Sequence, residues 1–469
     1  MFRKEEIPII TGIVILLSFT PIFGSVTKLY YVLMELIIFA LVLYSFFLIL
    51  LDFDPYHNKY KNKKYSFPYL PFKWIFLTFL SLIIFQLIKF PFSFIELISP
   101  KAAEIYNKVI LFFDLNKGTW IPISVHTYGT MVAFLKIIAY GFTFYLACNF
   151  FRGRRRLNFI LWVIVLLGTI QALYGLLEYF SGHQYILWEK KHYGLDCATG
   201  TFVNRNHFSG YLEMILPIAL AFFYSKLHSN FKDILIKDII RDHELSEHFF
   251  KISISFFFMI LMGLAIFFSY SRSGVITIFL TFILFFLIGL GLKRSSWLIL
   301  IFIGLLVLWG AQIGLKTLIE RFIAIGDEIT ANGSRLTQWK DTVKMIKDFI
   351  LFGSGLGTYK DVFPIYQSFA PRIQFDHAHN DILQFLAETG IVGFSILSYG
   401  AIKIITSLYK IWKKRTGLPS WTALGSLISF IVVIFHSLTD FNMQIPSNAF
   451  LLSFILGIGI GQKKVDKRY

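Results

Sequence analysis

The sequence predicts an all-α, polytopic membrane protein of about twelve spanning helices, and three observations predict it. Of 469 residues, 56% are hydrophobic and only 16% charged, with a mean hydropathy of +0.65, too little polar surface to solvate a globule of this size. Stretches near the roughly 20 apolar residues needed to cross the hydrocarbon core recur along nearly the whole length. The Lys and Arg residues behind the net charge of +17 lie in short runs between those stretches. That distribution argues for membrane topology and against a nucleic-acid surface.

In chain order the spans are expected at 7–24, 29–51, 72–90, 126–150, 157–180, 208–227, 251–270, 274–292, 297–316, 382–408, 420–440 and 447–462. With Arg3 and Lys4 in the cytoplasm, strict alternation puts Lys59 to Lys64, Arg152 to Arg156, Lys293 with Arg294, Lys410 to Arg415 and Lys463 to Arg468 on that same side. This is the positive-inside pattern. The even number of spans implies that both termini are cytoplasmic; the first span lacks a small-residue cleavage site and reads as retained. Cys148 falls inside a span and Cys197 in an outer loop, so no disulfide between them and no thiol metal site is expected. No repeat of 20 to 50 residues and no Pro/Gly-rich linker interrupts the pattern.

The same topology leaves irregular outer segments at 91–125, 181–207, 271–273, 317–381 and 441–446. In the fourth and largest, Arg335, Trp339 and Val343 recur at helical spacing with Ile346 near the same face, predicting an amphipathic helix near the bilayer surface, with a turn at Asn332 and Gly333 before it. The run FGSGLGTY, Phe352 to Tyr359, reads as a tight turn between short helices; it lacks the GK[ST] ending of a phosphate loop.

Outward-facing arginines carry most of the functional information, because the positive-inside rule places basic residues elsewhere unless something holds them. Arg205 lies in TGTFVNRNHFSGYLEM, with Asn206 beside it, Arg272 lies in YSRSG, and Arg335 opens the amphipathic helix. A guanidinium matches phosphate oxygens, and a helix start adds free backbone N–H groups. Contact with lipid headgroups or a loop carboxylate such as Glu320 or Asp327 is the plainer alternative for each. The segment HAHNDILQFLAETGIVG, His377 to Gly393, sets His377, His379 and Asn380 where an apolar helix begins. Asp376, His377, His379 and Asp381 could be read as metal ligands, but alternate residues share a face only in an extended segment and a full set needs a distant group. No metal or cofactor is expected. Lys136, Glu178 and Glu213 are costly in or near spans and therefore suspect. Glu213, eight residues after Arg205, is expected to orient that arginine or the sugar, while His436 and Asp440 either line the acceptor path or, as the first choice, cap their helix.

His379 and Asn380, nine residues, then Gly390 and Gly393 resemble the histidine motif of the O-antigen ligase and polymerase family. Ser271–Ser273, Arg335 with Trp339, the glycine turn and the histidine helix follow that family's order, and GTFVNRNHFSGYLEMILP is similar to a segment of one of its branches. The resemblance covers about 200–400, between N-terminal helices at 1–199 and C-terminal helices at 401–469. It implies a GT-C-like fold and transfer of a glycan from an undecaprenyl-diphosphate-linked donor to a lipid A core, glycan chain or protein acceptor at the periplasmic face. The resemblance further implies an inverting displacement that uses no nucleotide sugar. By the family pattern His379 is the general base and Arg272 and Arg335 stabilise the leaving diphosphate. Arg205, Asn206, His377, Asn380 and Glu213 are the expected substrate-binding residues, with His377 an alternative base. A transporter or flippase of lipid-linked glycans explains the helices equally well, but the inverted repeats and midplane charges it predicts are not visible.

Overall fold

In a bilayer each backbone N–H and C=O must be satisfied within its own segment, so apolar runs of this length fold as helices. The computed structural model describes residues 3–51, 69–114, 119–182, 185–230, 243–290, 334–369 and 374–464, with isolated positions between 304 and 323. The chain is an all-α polytopic membrane protein: among the described residues eight helices are long and apolar enough to cross a membrane, and two more are shorter and apolar.

The elements that correspond to spans are α1 (Ile7–Phe19), α2 (Lys28–Leu51), α3 (Lys73–Leu87), α6 (Thr127–Phe150), α7 (Arg154–Ser181), α8 (Arg205–Asn230), α9 (His243–Phe268), α10 (Arg272–Leu284), α13 (Asp381–Lys414), α14 (Gly417–His436) and α15 (Pro446–Gly461). The expected span at 297–316 and the turn at Asn332 and Gly333 lie outside the described residues. Helix α8 is the axis of the bundle: every side chain from His207 to Ser225 is buried, with α14, α9 and α7 packed around it. Outer helices turn apolar stripes outward, as in α2, where Leu29, Leu36 and Leu43 recur every seven residues and are exposed. Such a stripe suits lipid.

Three local expectations are corrected. The segment 91–125 contains helices, α4 (Phe92–Ile98) and α5 (Pro100–Phe112), above a two-residue antiparallel pairing of β1 (Lys89–Phe90) with β2 (Ile121–Pro122). The helix α11 (Arg335–Asp348) forms as predicted, capped by Ser334, but buries Gln338, Asp341, Thr342 and Met345; Val343 is exposed. Its contact face was misassigned because the partner is a second protein core, in which polar side chains find hydrogen bonds. Ile95, Ala102, Ile121, Met345, Phe349 and Phe363 build that core at the loop-rich end of the bundle. Thirdly, α13 is broken at Gly390 (φ 61°, ψ −172°).

The break explains a spacing seen in the sequence. Asn380 accepts from the Leu383 N–H as N-cap, and Gly390 ends the segment, so the nine intervening residues are one short helix before the membrane helix resumes. Ile391 and Val392 donate to the Ile350 and Leu351 carbonyls. A side chain at Gly390 would bring a Cβ within 2.3 Å of the Leu351 oxygen. The glycine turn docks there too: Gln86, buried near the end of α3, donates to the Phe352 and Glu388 carbonyls and accepts from Leu356. Glu388 in turn accepts from the Gly357 and Tyr359 N–H groups, at the start of α12 (Tyr359–Val362). The partner that the glycines let approach is therefore the protein itself.

Candidate active site

Four helices begin at one place. Arg205, Arg272 and Arg335 are the first residues of α8, α10 and α11, and Asp381 is the first of α13. All four starts meet the turn that follows α14, Ser437 to Phe441. Asn206 Nδ2 donates to Asp440 Oδ2 at 2.5 Å, Ser273 and Thr439 share a hydroxyl hydrogen bond of 2.8 Å, and Arg335 donates to the Thr439 carbonyl at 2.6 Å. From α13, Asn380 Nδ2 donates to the Leu438 carbonyl at 2.9 Å and the Asp381 N–H to that of Ser437 at 2.9 Å. Helix N-termini carry partial positive charge, so their convergence favours an anion.

Asp440, fully buried, is the hub. Its carboxylate lies 3.6 Å from Arg335, 3.7 Å from His207 Nε2 and 3.8 Å from His379 Nδ1, ion-pair separations longer than hydrogen bonds. Burial alone would raise its pKa, but His207, His379 and Arg335 hold it well below the ordinary carboxylate value. The neighbouring Phe441 ring is surrounded by three imidazoles: His377 stacks on it at 4.4 Å, while His207 and His379 meet it edge-on at 4.6 and 4.8 Å. His379 itself is held in the left-handed region (φ 50°), where a non-glycine residue is strained.

The two histidines of the motif differ in what they can do. The Ala378 N–H donates to Gln384 Oε1, which fixes the Gln384 amide so that Nε2 faces His377 Nδ1 at 3.1 Å. His377 Nδ1 must therefore accept, its proton sits on Nε2, and burial pushes its pKa down to about 3. With His379, Nδ1 faces Asp440 and the outer nitrogen is left to other partners. Helix α11 straps this segment down: Gln338 donates to the His377 carbonyl at 2.6 Å and Trp339 to that of Ala378 at 3.0 Å.

The structure gathers His379, His377, Asn380, Arg335 and Asn206 around one turn, with Arg272 one residue before the Ser273 contact. Arg205 precedes Asn206 on α8, and its guanidinium reaches the Cys197 thiol, which like Cys148 is free and buried. Glu213 departs from expectation: it is buried against His436 at 2.8 Å and Thr277 at 2.7 Å, and does not orient Arg205. His436 and Asp440, expected first as caps, have side-chain partners of their own: His436 pairs with Glu213, and Asp440 meets Asn206 and Arg335. Among the described residues no three His, Cys, Asp or Glu side chains form a metal-holding group. His207, Ser437, Thr439 and Phe441 were not anticipated; the polar run HSLTDFN at the end of an apolar span was the available signal.

Residues 257–398 match the sequence profile of the O-antigen ligase family. This stretch is similar to an O-antigen ligase domain. Its general chemistry is accordingly glycan transfer, by a multi-pass membrane enzyme. The matched residues include Arg272, Arg335, the glycine turn and the start of the histidine helix, whereas Asn206, His207 and Asp440 lie outside them. No curated protein matches the chain.

Proposed function

We propose that the protein transfers a glycan from undecaprenyl diphosphate to an acceptor hydroxyl at the periplasmic face of the inner membrane. The observation that carries this reading is the arginine at the first position of three helices whose starts converge on one turn beside His379. A lipid diphosphate leaving group gains negative charge as the glycosidic bond breaks, and preorganised guanidinium and backbone N–H donors stabilise that charge without reorganising. Arg272 and Arg335 take this role, with Asn206 and Asn380 fixing the turn between them.

The acceptor hydroxyl is a poor nucleophile until its proton is removed. His379 does this through the nitrogen remote from Asp440: the carboxylate orients the ring and stabilises the imidazolium that forms. The role falls to His379 rather than His377 because the buried His377 ring accepts from Gln384 through Nδ1 and burial lowers its pKa. The displacement inverts the anomeric carbon and uses no nucleotide sugar.

Purified protein supplied with an undecaprenyl-diphosphate-linked glycan and acceptor is expected to yield transferred glycan. His379→Ala should lower the rate by about 10²- to 10⁴-fold, the usual contribution of a general base, and Arg272→Ala should abolish transfer at unchanged expression. Undiminished transfer in both variants would overturn the mechanism.

A further inference from the structure

Lys136 is the tenth residue of α6, a 24-residue helix. At 1.5 Å per residue α6 is about 36 Å long, against a hydrocarbon core of about 30 Å. Side chains lean toward a helix N-terminus, and the N-terminus of α6 is at the site end, so the Lys136 ammonium is carried toward the headgroup level on that side.

The surroundings are specific. Ala133 and Gly129, one and two turns earlier on the same face, hold the glycine turn: a Cβ at Gly357 would stand 3.1 Å from that of Ala133, and one at Gly129 would stand 3.0 Å from the Gly357 oxygen. Lys136 thus lies directly beneath this turn, within electrostatic reach of Lys360 on α12 and of His377. Below it the Tyr31 ring of α2 sits 4.1 Å from Nζ. Among the described residues Lys136 makes no ion pair. Glu35, the nearest acid on α2, is buried with Oε1 lacking any hydrogen-bond partner. Glu35 and Lys136 lie within electrostatic reach of each other near the membrane face of the site, yet no ion pair closes between them among the described residues, and a half-buried ammonium without one is costly.

We propose that Lys136, with Tyr31 beneath it and Lys360 above, is a positioning residue that binds the phosphate of a polyprenyl phosphate lipid as that lipid passes from the bilayer to the turn at Ser437–Phe441. This rests on the reading of the donor given above. The shared chemistry is a lipid phosphate, which a bulk anionic phospholipid also offers; the position beneath the glycine turn, within electrostatic reach of His377, favours the polyprenyl lipid.

The test is native mass spectrometry of the full chain in detergent with undecaprenyl phosphate or with phosphatidylglycerol. Lys136→Met, which keeps the stem against Tyr31, should weaken undecaprenyl phosphate retention about tenfold and leave phosphatidylglycerol unchanged, and Lys136→Arg should restore most of it. In transfer assays Lys136→Met should raise KM for the donor and spare kcat. If Lys136→Met fails to fold, Lys360→Ala serves, with the same direction expected. Equal retention of undecaprenyl phosphate in wild type and variant, or equal loss of both lipids, would overturn the proposal. The binding arms need no turnover: Lys136-dependent binding without any transfer would count against the glycan-transfer reading alone, and His379→Ala should bind as wild type does.

Discussion

At the scale of single residues, the informative one is Asp440. Its carboxylate meets side chains from α8, α11 and the histidine segment, so it is charged, buried and partnered on several sides. Asp440→Asn should retain the fold yet lose the charge that orients His379, lowering kcat roughly 10²-fold with little change in donor KM; steady-state kinetics of the purified variant decide it. A drop confined to KM would assign Asp440 to binding instead. His379 was legible in the sequence through its flanking motif, but Asp440 was not. An aspartate four residues after a histidine at a helix end reads as a cap, and the 61 residues separating it from His379 conceal their meeting.

At the scale of elements, the broken helix α13 explains why a histidine, an asparagine and two glycines recur at fixed spacing. Asn380 starts the short segment, Gly390 ends it, and Gly393 packs where the membrane helix crosses Leu82 of α3. Gly390→Ala combines a φ and ψ that suit glycine with a contact of 2.3 Å to backbone, and should destabilise by about 1–3 kcal/mol. A melting curve in detergent that matched wild type would contradict this. The periodicity of α11 was read correctly and its buried face was not, because hydropathy identifies a lipid- or core-facing stripe only when the contact is apolar. Here Gln338 and Thr342 face inward and are satisfied by the His377 carbonyl and the Tyr359 hydroxyl.

At the scale of the whole molecule, four helix starts on one turn create a site whose integrity depends on protonation. His377 has its pKa lowered to about 3, so it is neutral when folded; as pH falls below the ordinary histidine value of about 6.5 the unfolded segment gains a proton that the folded one refuses. Stability is full above that value and declines as pH falls toward about 3. Asp440, with its pKa lowered, stabilises above the ordinary carboxylate value and loses that contribution as pH falls through its folded value. Both act in the acid direction. Protection of the 376–389 amides, measured relative to their intrinsic exchange rate at each pH, should therefore fall between pH 7 and pH 4, before the bundle around α8 opens, and unchanged protection over that range would refute the sequence of events.

What could be read from the chain alone was local. Apolar length dictates where helices form, because each span must satisfy its own backbone, and the arginines, glycines and histidine motif carry their meaning in short stretches. Which helix ends meet is a different matter. Residues from 205 to 441 come together only because α8 is enclosed by α14 and α9 and the outer segments build a second core. Those contacts join positions far apart in the chain, where neither hydropathy nor spacing carries a signal. The placement of Asp440 beside His379, the pairing of Glu213 with His436 and the position of Lys136 beneath the glycine turn were decided there.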